Sequence, residues 1–335
     1  MKKIIQKIYS SKKLNLLDSY NLFNSIFSNP INNCELSSIL IAMKIRGEGQ
    51  KEILSLIKLF SKNAKLFPSP KYKFADIVGT GGDKSNSINI STLSAFVAAS
   101  YGIKIAKHCN AAITSKIGSA NILKKLKINL NITPQESRLS LDKLNICFLL
   151  APIYYPIFQS VSHIRKKLNT RTIFNIIGPM LNPAKPKFIL IGVYHIKWLL
   201  PVAKMLKKLN YKHAIVVHSA NTDEITLFEK TYVAELKEKL ISSYEIYPSD
   251  FGFKKFLKKD NKKNQNNYDI AIKTLQGKGQ KIHEYTIAAN VAMLLKLFGK
   301  ENLKYNAQEA LEIIRNGTAY KKILLLSKLG KSCKK

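Results

Sequence analysis

The spacing of apolar residues changes once along the chain, close to residue 67. Before that point apolar residues recur every three or four positions, in runs that begin at Leu14 and at Leu36, and no strand-like alternation appears. This spacing predicts helices, separated by turns at 29–30 and 46–49, where Pro or Gly residues stand. Residues 67–70 contain two prolines and predict a linker. The first 70 residues therefore predict a small all-helical N-terminal domain.

After the linker, short runs rich in Ile and Val alternate with segments of helical periodicity. The predicted strands are 74–78, 103–106, 146–150, 188–194 and 214–217, and the predicted helices include 92–101 and 119–127. Strands that alternate with helices indicate a larger α/β domain with a largely parallel central sheet. The Lys- and Asn-rich stretch 254–267 predicts a solvated loop, with a basic phosphate-binding segment as the alternative.

The composition fits a globular protein of about two domains: 335 residues, 46% of them apolar and 23% charged. The formal charge of +34 comes from 55 Lys and Arg set against 21 Asp and Glu. A charge of this size raises the question of nucleic-acid binding, but the lysines are spread along the whole chain. Only five residues are Arg, the side chain that nucleic-acid-binding proteins favour. We therefore expect no nucleic-acid partner, and a positive field that attracts anionic small molecules. A non-enzymatic nucleic-acid-binding protein is the alternative.

The cysteines and the apolar runs indicate the compartment. Four Cys residues lie far apart without a CxxC pair, which excludes a disulfide scaffold or zinc ribbon and fits a reducing environment. The N-terminus turns polar after two apolar residues, unlike a secretory signal. The longest apolar run, 146–158, has 13 residues and contains two prolines, too short to span a bilayer. These features predict a cytoplasmic protein with no membrane segment.

A glycine-rich loop stands between the predicted strand 74–78 and the predicted helix 92–101. It contains Gly79, Gly81 and Gly82, and the hydroxyls of Ser91 and Thr92 mark the start of the helix. A helix N-terminus with unpaired N–H groups binds anions, so the loop predicts a phosphate or diphosphate site. It lacks the lysine of a P-loop and the third glycine of a GxGxxG motif. The alternative is a tight strand-to-helix turn without a ligand.

A second polar segment, 107–119, follows the predicted strand 103–106 and should emerge at the same edge of the sheet. Lys107 offers a positive charge for phosphate, and neutral donors follow it at Asn110, Thr114, Ser115 and Ser119. A lone histidine such as His108 is more often structural than catalytic.

Two further groups of charged residues carry candidate chemistry. Asp223 and Glu224 form the chain's one adjacent acidic pair, at the carboxyl end of the predicted strand 214–217. Mg²⁺ is held by one or two carboxylates together with substrate phosphates, so the pair predicts a metal site, with a solvated loop as the alternative.

Arg165 and Arg171 stand close together in the sequence of a chain that elsewhere uses Lys. They predict recognition of a carboxylate substrate, with ordinary surface arginines as the alternative.

Taken together, these segments resemble the anthranilate phosphoribosyltransferase family over essentially the full chain. The residues that carry the resemblance are Gly79-Thr80-Gly81-Gly82-Asp83, Asn89-Ile90-Ser91-Thr92, Lys107-His108-x-Asn110, Ser115-Lys116-x-Gly118-Ser119, Arg171-Thr172-x-Phe174-Asn175-x-x-Gly178-Pro179, Asp223-Glu224, Gly277-Lys278-Gly279 and Ala288-Ala289-Asn290-Val291-Ala292. The resemblance implies a helical domain at 1–70, with a contribution from about 160–185, and an α/β domain at 71–335 that binds the phosphoribosyl donor. It also implies a homodimer.

The activity that the resemblance implies is a Mg²⁺-dependent pentosyl transfer in L-tryptophan biosynthesis. Phosphoribosyl would pass from 5-phosphoribosyl 1-diphosphate (PRPP) to the amino group of anthranilate, giving N-(5-phosphoribosyl)anthranilate and diphosphate. Two Mg²⁺ ions per monomer would assist, and no covalent nucleophile is expected, because the donor carries its own leaving group. A pyrimidine nucleoside phosphorylase-like enzyme is the alternative, with phosphate as the nucleophile and no need for the acidic pair.

The resemblance also implies roles for individual residues. The implied PRPP-binding residues are Gly79, Gly82, Asp83, Ser87, Asn89, Ile90, Ser91, Thr92, Lys107, His108, Cys109, Asn110, Ala111, Ala112, Ile113, Thr114, Ser115 and Ser119. The implied anthranilate-binding residues are Gly79, Asn110 and Arg165, and the implied metal ligands are Ser91, Asp223 and Glu224. The chain departs from the family pattern at four places: family members usually have Gly for Cys109, Arg for Ala111, often His for Tyr155, and two glycines for Ala220-Asn221.

Overall fold

The N-terminal part of the chain consists of helices, as predicted. A computed structural model describes residues 1–28, 31–81, 88–110, 119–257 and 266–332, so the turn predicted at 29–30 lies outside the described residues. The first helices are α1 (Lys2–Tyr9), α2 (Leu16–Ser28), α3 (Asn33–Arg46) and α4 (Gln50–Lys62). The predicted turn at 46–49 separates α3 from α4, and no helix or strand includes residues 67–70.

A buried ion pair joins the ends of these helices. The Arg46 guanidinium lies 2.5 Å from Glu52 Oε1, and both side chains are almost fully buried. The Glu52 carboxylate also accepts hydrogen bonds from the backbone N–H of Leu14, at 2.8 Å, and of Gly49, at 2.7 Å. One carboxylate thus holds the α1–α2 connection, the end of α3 and the start of α4 together. Removing one partner of such a buried pair costs about 3–5 kcal/mol.

The remaining elements form a sheet flanked by helices. The strands are β1 (Ala75–Gly79), β2 (Ile105–Cys109), β3 (Ile146–Leu150), β4 (Phe188–Gly192), β5 (His213–Ser219), β6 (Thr231–Lys237) and β7 (Leu240–Ile246). The helices are α5 (Ile90–Tyr101), α6 (Ser119–Lys125), α7 (Pro134–Leu144), α8 (Ala151–Tyr154), α9 (Gln159–Leu168), α10 (Ile173–Ile177), α11 (Leu199–Lys208), α12 (Asn267–Leu275), α13 (Lys281–Lys296), α14 (Leu303–Arg315) and α15 (Thr318–Ser332).

The sheet order is β3-β2-β1-β4-β5-β6-β7, and the first five of these strands run parallel. The prediction of an α/β domain with a largely parallel central sheet is confirmed. The strand predicted at 146–150 has the observed bounds, and the other four predicted strands overlap β1, β2, β4 and β5 with ends that differ by at most three residues. The predicted helices 92–101 and 119–127 correspond to α5 and α6.

Two antiparallel strands, β6 and β7, were not among the predicted ones. Strand β6 carries Glu235 in an otherwise apolar stretch, and this carboxylate is buried because it accepts from His213 Nε2, at 2.6 Å, and from Lys296 Nζ, at 3.2 Å. Strand β7 lies at the edge of the sheet and is largely exposed. The partners that allow Glu235 to be buried are remote in sequence, so local periodicity does not predict this pair of strands.

The sheet separates two apolar layers, and alternate residues of β5 show the separation. Ile215 and Val217 belong to the core that includes α5 and α13, whereas Ala214 and Val216 belong to the core shared with α11 and the N-terminal helices. Helices α9 and α10 pack against α3 and α4, so the segment near 160–185 contacts the N-terminal helices. The domain boundary at residue 70 stays a prediction.

Two further sequence predictions concern loops and membranes. Residues 253–257 lie outside helices and strands, as the predicted loop at 254–267 requires, and α12 begins at Asn267. The rest of that stretch, 258–265, lies outside the described residues. Within the described ranges, no helix combines the length and the apolarity needed to cross a bilayer.

Candidate active site

The candidate site lies at the topological switch point of the sheet, where the strand order changes direction. From β1 the chain continues to β2 and β3 on one side, whereas β4 and β5 lie on the other side. In open α/β sheets, ligands bind beyond the carboxyl ends of the strands at such a switch point. Strands β1 and β4 end together there, with Gly79 in register with Gly192. The glycine-rich loop follows β1 directly, so it leaves the sheet at this crevice.

The glycine-rich loop contacts the acidic pair. The backbone N–H of Gly81 donates to Asp223 Oδ2 over 2.5 Å, although 142 positions separate the two residues. Gly81 has a φ of +71°, a conformation that glycine adopts without strain. A Cβ atom added at Gly79 would overlap the Asp223 carboxylate. The glycine-rich loop and the acidic pair, which are far apart in the sequence, are therefore in direct contact. Gly79 has no side chain, and this leaves room for the contact.

The N-terminus of α5 adds unpaired donors beside this loop. Asn89 precedes the helix with a φ of +61° and makes no side-chain capping bond. The buried atoms Asn89 Nδ2 and Thr92 Oγ1 have no hydrogen-bond partner among the described residues. Ile90 and Ser91 form the first turn of the helix. Buried donors without partners at a helix N-terminus match the requirements of a bound anion.

A buried lysine supplies positive charge to the same region. Lys107 on β2 is only 1% exposed, and its ammonium donates to the Ile77 carbonyl oxygen and, at 3.2 Å, to Ser91 Oγ. Burial lowers the pKa of Lys107, and the negative charge of the Asp76 carboxyl opposes that shift. Burial in turn raises the pKa of Asp76 to about 6, with Lys107 acting in the opposite direction. Each of these two buried side chains therefore favours the charged form of the other, against the effect of burial.

Sequence reasoning missed two residues of this network, Asp76 and Asn182. Asp76 Oδ2 accepts from Asn182 Nδ2 at 2.8 Å, and the same amide donates to the Ala106 carbonyl oxygen at 2.7 Å. Asn182 thereby ties β1 and β2 to the segment that follows α10. A carboxylate inside the apolar stretch 74–78 was a visible signal for Asp76. No local pattern indicated Asn182.

His108 and Cys109 are both neutral in this setting. His108 Nδ1 lies 3.2 Å from the Gly178 carbonyl oxygen, which can only accept, so Nδ1 carries the hydrogen. Burial lowers the pKa of His108 to about 4, and its buried Nε2 has no partner among the described residues. Burial raises the pKa of Cys109 to about 12, so its thiol stays protonated and is no nucleophile.

Arg165 is a buried cation without a carboxylate partner in the described part of the chain. It is 7% exposed, and its guanidinium carbon lies 5.2 Å from the ring centre of Phe174 and 5.9 Å from that of Phe158. Burial lowers the pKa of Arg165 to about 10. Ring contacts connect this position to His108, from Phe158 to Tyr155 at 6.2 Å and from Tyr155 to His108 at 5.9 Å. A buried guanidinium between aromatic rings suits an aromatic carboxylate.

The structure describes some of the remaining candidate residues, and others lie outside the described residues. Asn110 follows β2 and is exposed, and Ser119 begins α6. Arg171 lies against a different ring from those of Arg165, with its guanidinium carbon 4.1 Å from the centre of the Tyr194 ring. Several residues implied to bind PRPP lie outside the described residues: Gly82, Asp83, Ser87, Ala111, Ala112, Ile113, Thr114 and Ser115.

Comparisons with known proteins show which family the chain belongs to. Residues 71–320 match a family model described as the a/b domain of a glycosyl transferase family, and residues 2–63 match the helical bundle domain of that family. The chain is 54% identical to anthranilate phosphoribosyltransferase of Buchnera aphidicola subsp. Baizongia pistaciae over 330 residues, covering 98% of this chain and 100% of the relative. The chain belongs to the anthranilate phosphoribosyltransferase family.

Two solved structures of this family have the same fold. The enzyme from Thermus thermophilus superposes with a TM-score of 0.88 at 28% identity, covering 98% of this chain and 99% of that one. The enzyme from Saccharomyces cerevisiae, solved in complex with PRPP and Mg, gives a TM-score of 0.88 at 25% identity, with 98% and 97% covered. The observed layers, a helical bundle and an α/β domain, are those of the anthranilate phosphoribosyltransferase family.

Two departures from the anthranilate phosphoribosyltransferase pattern have a visible structural consequence. Ala220 and Asn221, where family members usually have glycines, have φ values of +50° and +62°. The backbone thus keeps the left-handed conformation that glycine favours, and Ala220 adopts it at a cost of about 1–2 kcal/mol. Tyr155, where a histidine is frequent, is 1% exposed and fills the space beside His108.

Proposed function

We propose that this chain catalyses the Mg²⁺-dependent transfer of phosphoribosyl from PRPP to the amino group of anthranilate. The products are N-(5-phosphoribosyl)anthranilate and diphosphate, and the reaction belongs to L-tryptophan biosynthesis. The observation that carries the proposal is the contact between Gly81 and Asp223, which joins a candidate anion cradle to a candidate metal site. The relatives in this family are named anthranilate phosphoribosyltransferase, after that activity.

The donor side of the proposed site lies at the carboxyl ends of β1 and β2. The N-terminus of α5, with the unpaired Asn89 Nδ2 and Thr92 Oγ1, donates hydrogen bonds to phosphate oxygens. The Lys107 ammonium donates a hydrogen bond to Ser91 Oγ and supplies positive charge to the same anion. We assign these residues to the PRPP site, together with the loop residues that the sequence resemblance implies.

The acceptor side of the proposed site is the aromatic surrounding of Arg165. The guanidinium holds the anthranilate carboxylate in a bidentate pair, which its planar fork permits and an ammonium does not. The Phe158 and Phe174 rings contact the guanidinium and provide an apolar wall for an aromatic substrate. His108 is neutral and supplies no positive charge. The cation that recognises the carboxylate is therefore Arg165.

The acidic pair fits a Mg²⁺ ion held jointly with substrate phosphates. Asp223 and Glu224 supply two carboxylates, and the described residues contain no group of three or more His, Cys, Asp or Glu placed to hold a metal. Such a set of ligands is incomplete without phosphate oxygens, which is the usual arrangement for Mg²⁺. Ser91 Oγ, the third proposed ligand, accepts from Lys107 and keeps one lone pair for the ion. We propose two such ions per monomer.

Catalysis in this proposal consists of positioning and electrostatic stabilisation. When bound, Mg²⁺ neutralises negative charge on the departing diphosphate. Arg165 orients anthranilate so that its amine faces the ribose C1 carbon, which becomes oxocarbenium-like as diphosphate leaves. The α5 N-terminus and Lys107 hold the phosphate oxygens while the bond breaks. No nucleophile is needed, in agreement with the protonated thiol of Cys109.

The alternative, a pyrimidine nucleoside phosphorylase-like enzyme, is not favoured. A phosphorylase uses free phosphate as the nucleophile and does not need a metal-binding acidic pair beside its phosphate site. Here the Asp223 carboxylate contacts the glycine-rich loop directly. This carboxylate and a phosphate bound at the loop would repel each other without a cation between them.

The domain boundary and the oligomeric state are part of the same proposal. We place the boundary at residue 70 and assign the segment near 160–185 to the helical domain, because α9 and α10 pack against α3 and α4. We also propose a homodimer, which sedimentation velocity measures directly.

The decisive test is a fluorescence assay on the purified protein. Anthranilate fluorescence should fall when PRPP and Mg²⁺ are both added, and should not fall when either is omitted. The control is uridine with inorganic phosphate, which should release no base. A stable anthranilate signal in the presence of PRPP and Mg²⁺ would overturn the proposal, and phosphate-dependent release of base would establish the alternative.

A further inference from the structure

The segment that carries the acidic pair has to cross the end of a neighbouring strand. Asp223 follows β5, but the glycine-rich loop follows β1, and β4 lies between these two strands. After β5 the chain turns back, with the Thr222 N–H donating to the Ser219 carbonyl oxygen at 2.7 Å. It can reach Gly81 only by passing over the carboxyl end of β4.

Gly192 is the last residue of β4 and lies directly under this crossing. A Cβ atom added there would overlap the carbonyl carbon and oxygen of Asp223 and would lie 3.0 Å from its Cα. At the neighbouring strand end, a Cβ added at Gly79 would overlap the Asp223 carboxylate instead. The backbone of Asp223 therefore rests on Gly192, and its side chain rests on Gly79.

The requirement for glycine at position 192 concerns space and not backbone conformation. Gly192 is not one of the glycines with a positive φ, so an alanine could adopt its backbone angles. The neighbouring atoms belong to the Asp223 peptide and not to the end of a flexible side chain. An added methyl group must therefore displace the peptide that carries the acidic pair.

We infer that Gly192 is a positioning residue for Asp223 and Glu224. It contacts neither substrate nor metal in the proposed site, and acts by allowing the crossing segment to lie flat on the strand ends. This inference rests on the proposed function, because it assumes that the acidic pair binds PRPP through Mg²⁺. Residues that orient metal ligands in this way commonly affect metal affinity or activity by about 10- to 100-fold.

The test is the Gly192→Ala variant, with PRPP binding measured by isothermal titration calorimetry at a fixed free Mg²⁺ concentration and without anthranilate. PRPP should bind about 10- to 100-fold more weakly than to the wild-type protein. In steady-state assays the KM for PRPP should rise while the KM for anthranilate stays close to the wild-type value, because Arg165 lies on a different element.

Gly102→Ala is the matched control. Gly102 has a φ of +110°, follows α5, and lies at the opposite end of β2 from the site. Alanine there is strained, so this variant should lower the melting temperature without changing the dissociation constant of PRPP. A purely structural role of Gly192 would give the same pattern, and that result would overturn the inference.

A second variant covers the case in which Gly192→Ala does not fold. A single glycine inserted between Thr222 and Asp223 lifts the crossing segment without altering the sheet, and should weaken PRPP binding by a similar factor. Wild-type PRPP affinity in this variant would overturn the inference. Failure of the proposed function is distinguishable, since the wild-type protein would then bind no PRPP and consume no anthranilate.

Discussion

The Gly81 amide, which follows β1, donates to the carboxylate of Asp223, which follows β5, across the carboxyl end of the intervening strand β4. A carboxylate and a phosphate oxygen are alternative acceptors for the same backbone N–H. A phosphate bound at the glycine-rich loop would lie beside this carboxylate, and two anions at short range repel each other unless a cation lies between them. The contact therefore explains why an anion cradle and an acidic pair are useful side by side.

Neutralising the acidic pair should lower turnover far more than it weakens anthranilate binding. In the Asp223→Asn/Glu224→Gln double variant, the side chains keep their size but lose the charge that holds Mg²⁺. We expect kcat to fall by about 100-fold or more, the size typical of losing one electrostatic stabiliser of a transition state, with a small change in the KM for anthranilate. Steady-state kinetics over a range of Mg²⁺ concentrations measure both.

Glu245→Gln is the control for that experiment, since Glu245 forms an exposed ion pair with Lys230 on the distant β7 edge. It should leave kcat unchanged. Near-normal turnover of the double variant at low Mg²⁺ would remove the metal assignment.

Replacing Arg165 with lysine should raise the KM for anthranilate. The ammonium keeps the charge but cannot form two parallel hydrogen bonds to a carboxylate. A lost hydrogen bond to a charged group is worth about 1.5–3 kcal/mol, so we expect the KM to rise by roughly 10- to 100-fold. The control is Arg138→Lys, whose guanidinium pairs with Asp142 at the surface. An unchanged KM for Arg165→Lys would reassign this residue to structure.

Ala220→Gly should stabilise the protein. Ala220 holds a φ of +50°, which costs an alanine about 1–2 kcal/mol, while glycine adopts it freely. Because glycine also gives the unfolded chain more freedom, we expect a net gain of at most about 1 kcal/mol in the free energy of unfolding, measured by urea titration. Ala95→Gly, inside α5, should have the opposite sign. A loss of stability in Ala220→Gly would contradict the strain at this turn.

The burial of His108 should make the protein less stable in mild acid. Its pKa is lowered from 6.5 to about 4 in the folded state, chiefly by burial. Between these values the unfolded chain binds a proton that the folded protein refuses, so stability falls as the pH drops from about 6.5 to about 4. The full effect is on the order of 3 kcal/mol.

His108→Gln removes this titration and keeps a polar side chain opposite the Gly178 carbonyl. Urea unfolding of both proteins between pH 7.5 and pH 4.5 should show a steeper decline for the wild-type chain. At pH 7.5 the histidine is neutral in both states, which makes that pH the internal control. Parallel profiles would show that His108 is not the group responsible.

The sequence alone determined those features that depend on neighbouring residues. Helical spacing before residue 67, the strand at 146–150, the glycine-rich loop and the acidic pair are all local patterns. Each is visible because periodicity and turn residues reflect how a short segment meets the core and the solvent. Several such patterns in order were also enough to indicate the family.

The tertiary structure alone decided which of these segments meet. The strand order places β4 between β1 and β5, and this order makes Gly192 the support for Asp223. Asn182 binds Asp76, and His213 with Lys296 allows Glu235 to be buried in β6, through contacts between residues far apart in the chain. Local sequence carries no trace of such contacts, because they arise only when the sheet has formed and its strand ends lie side by side.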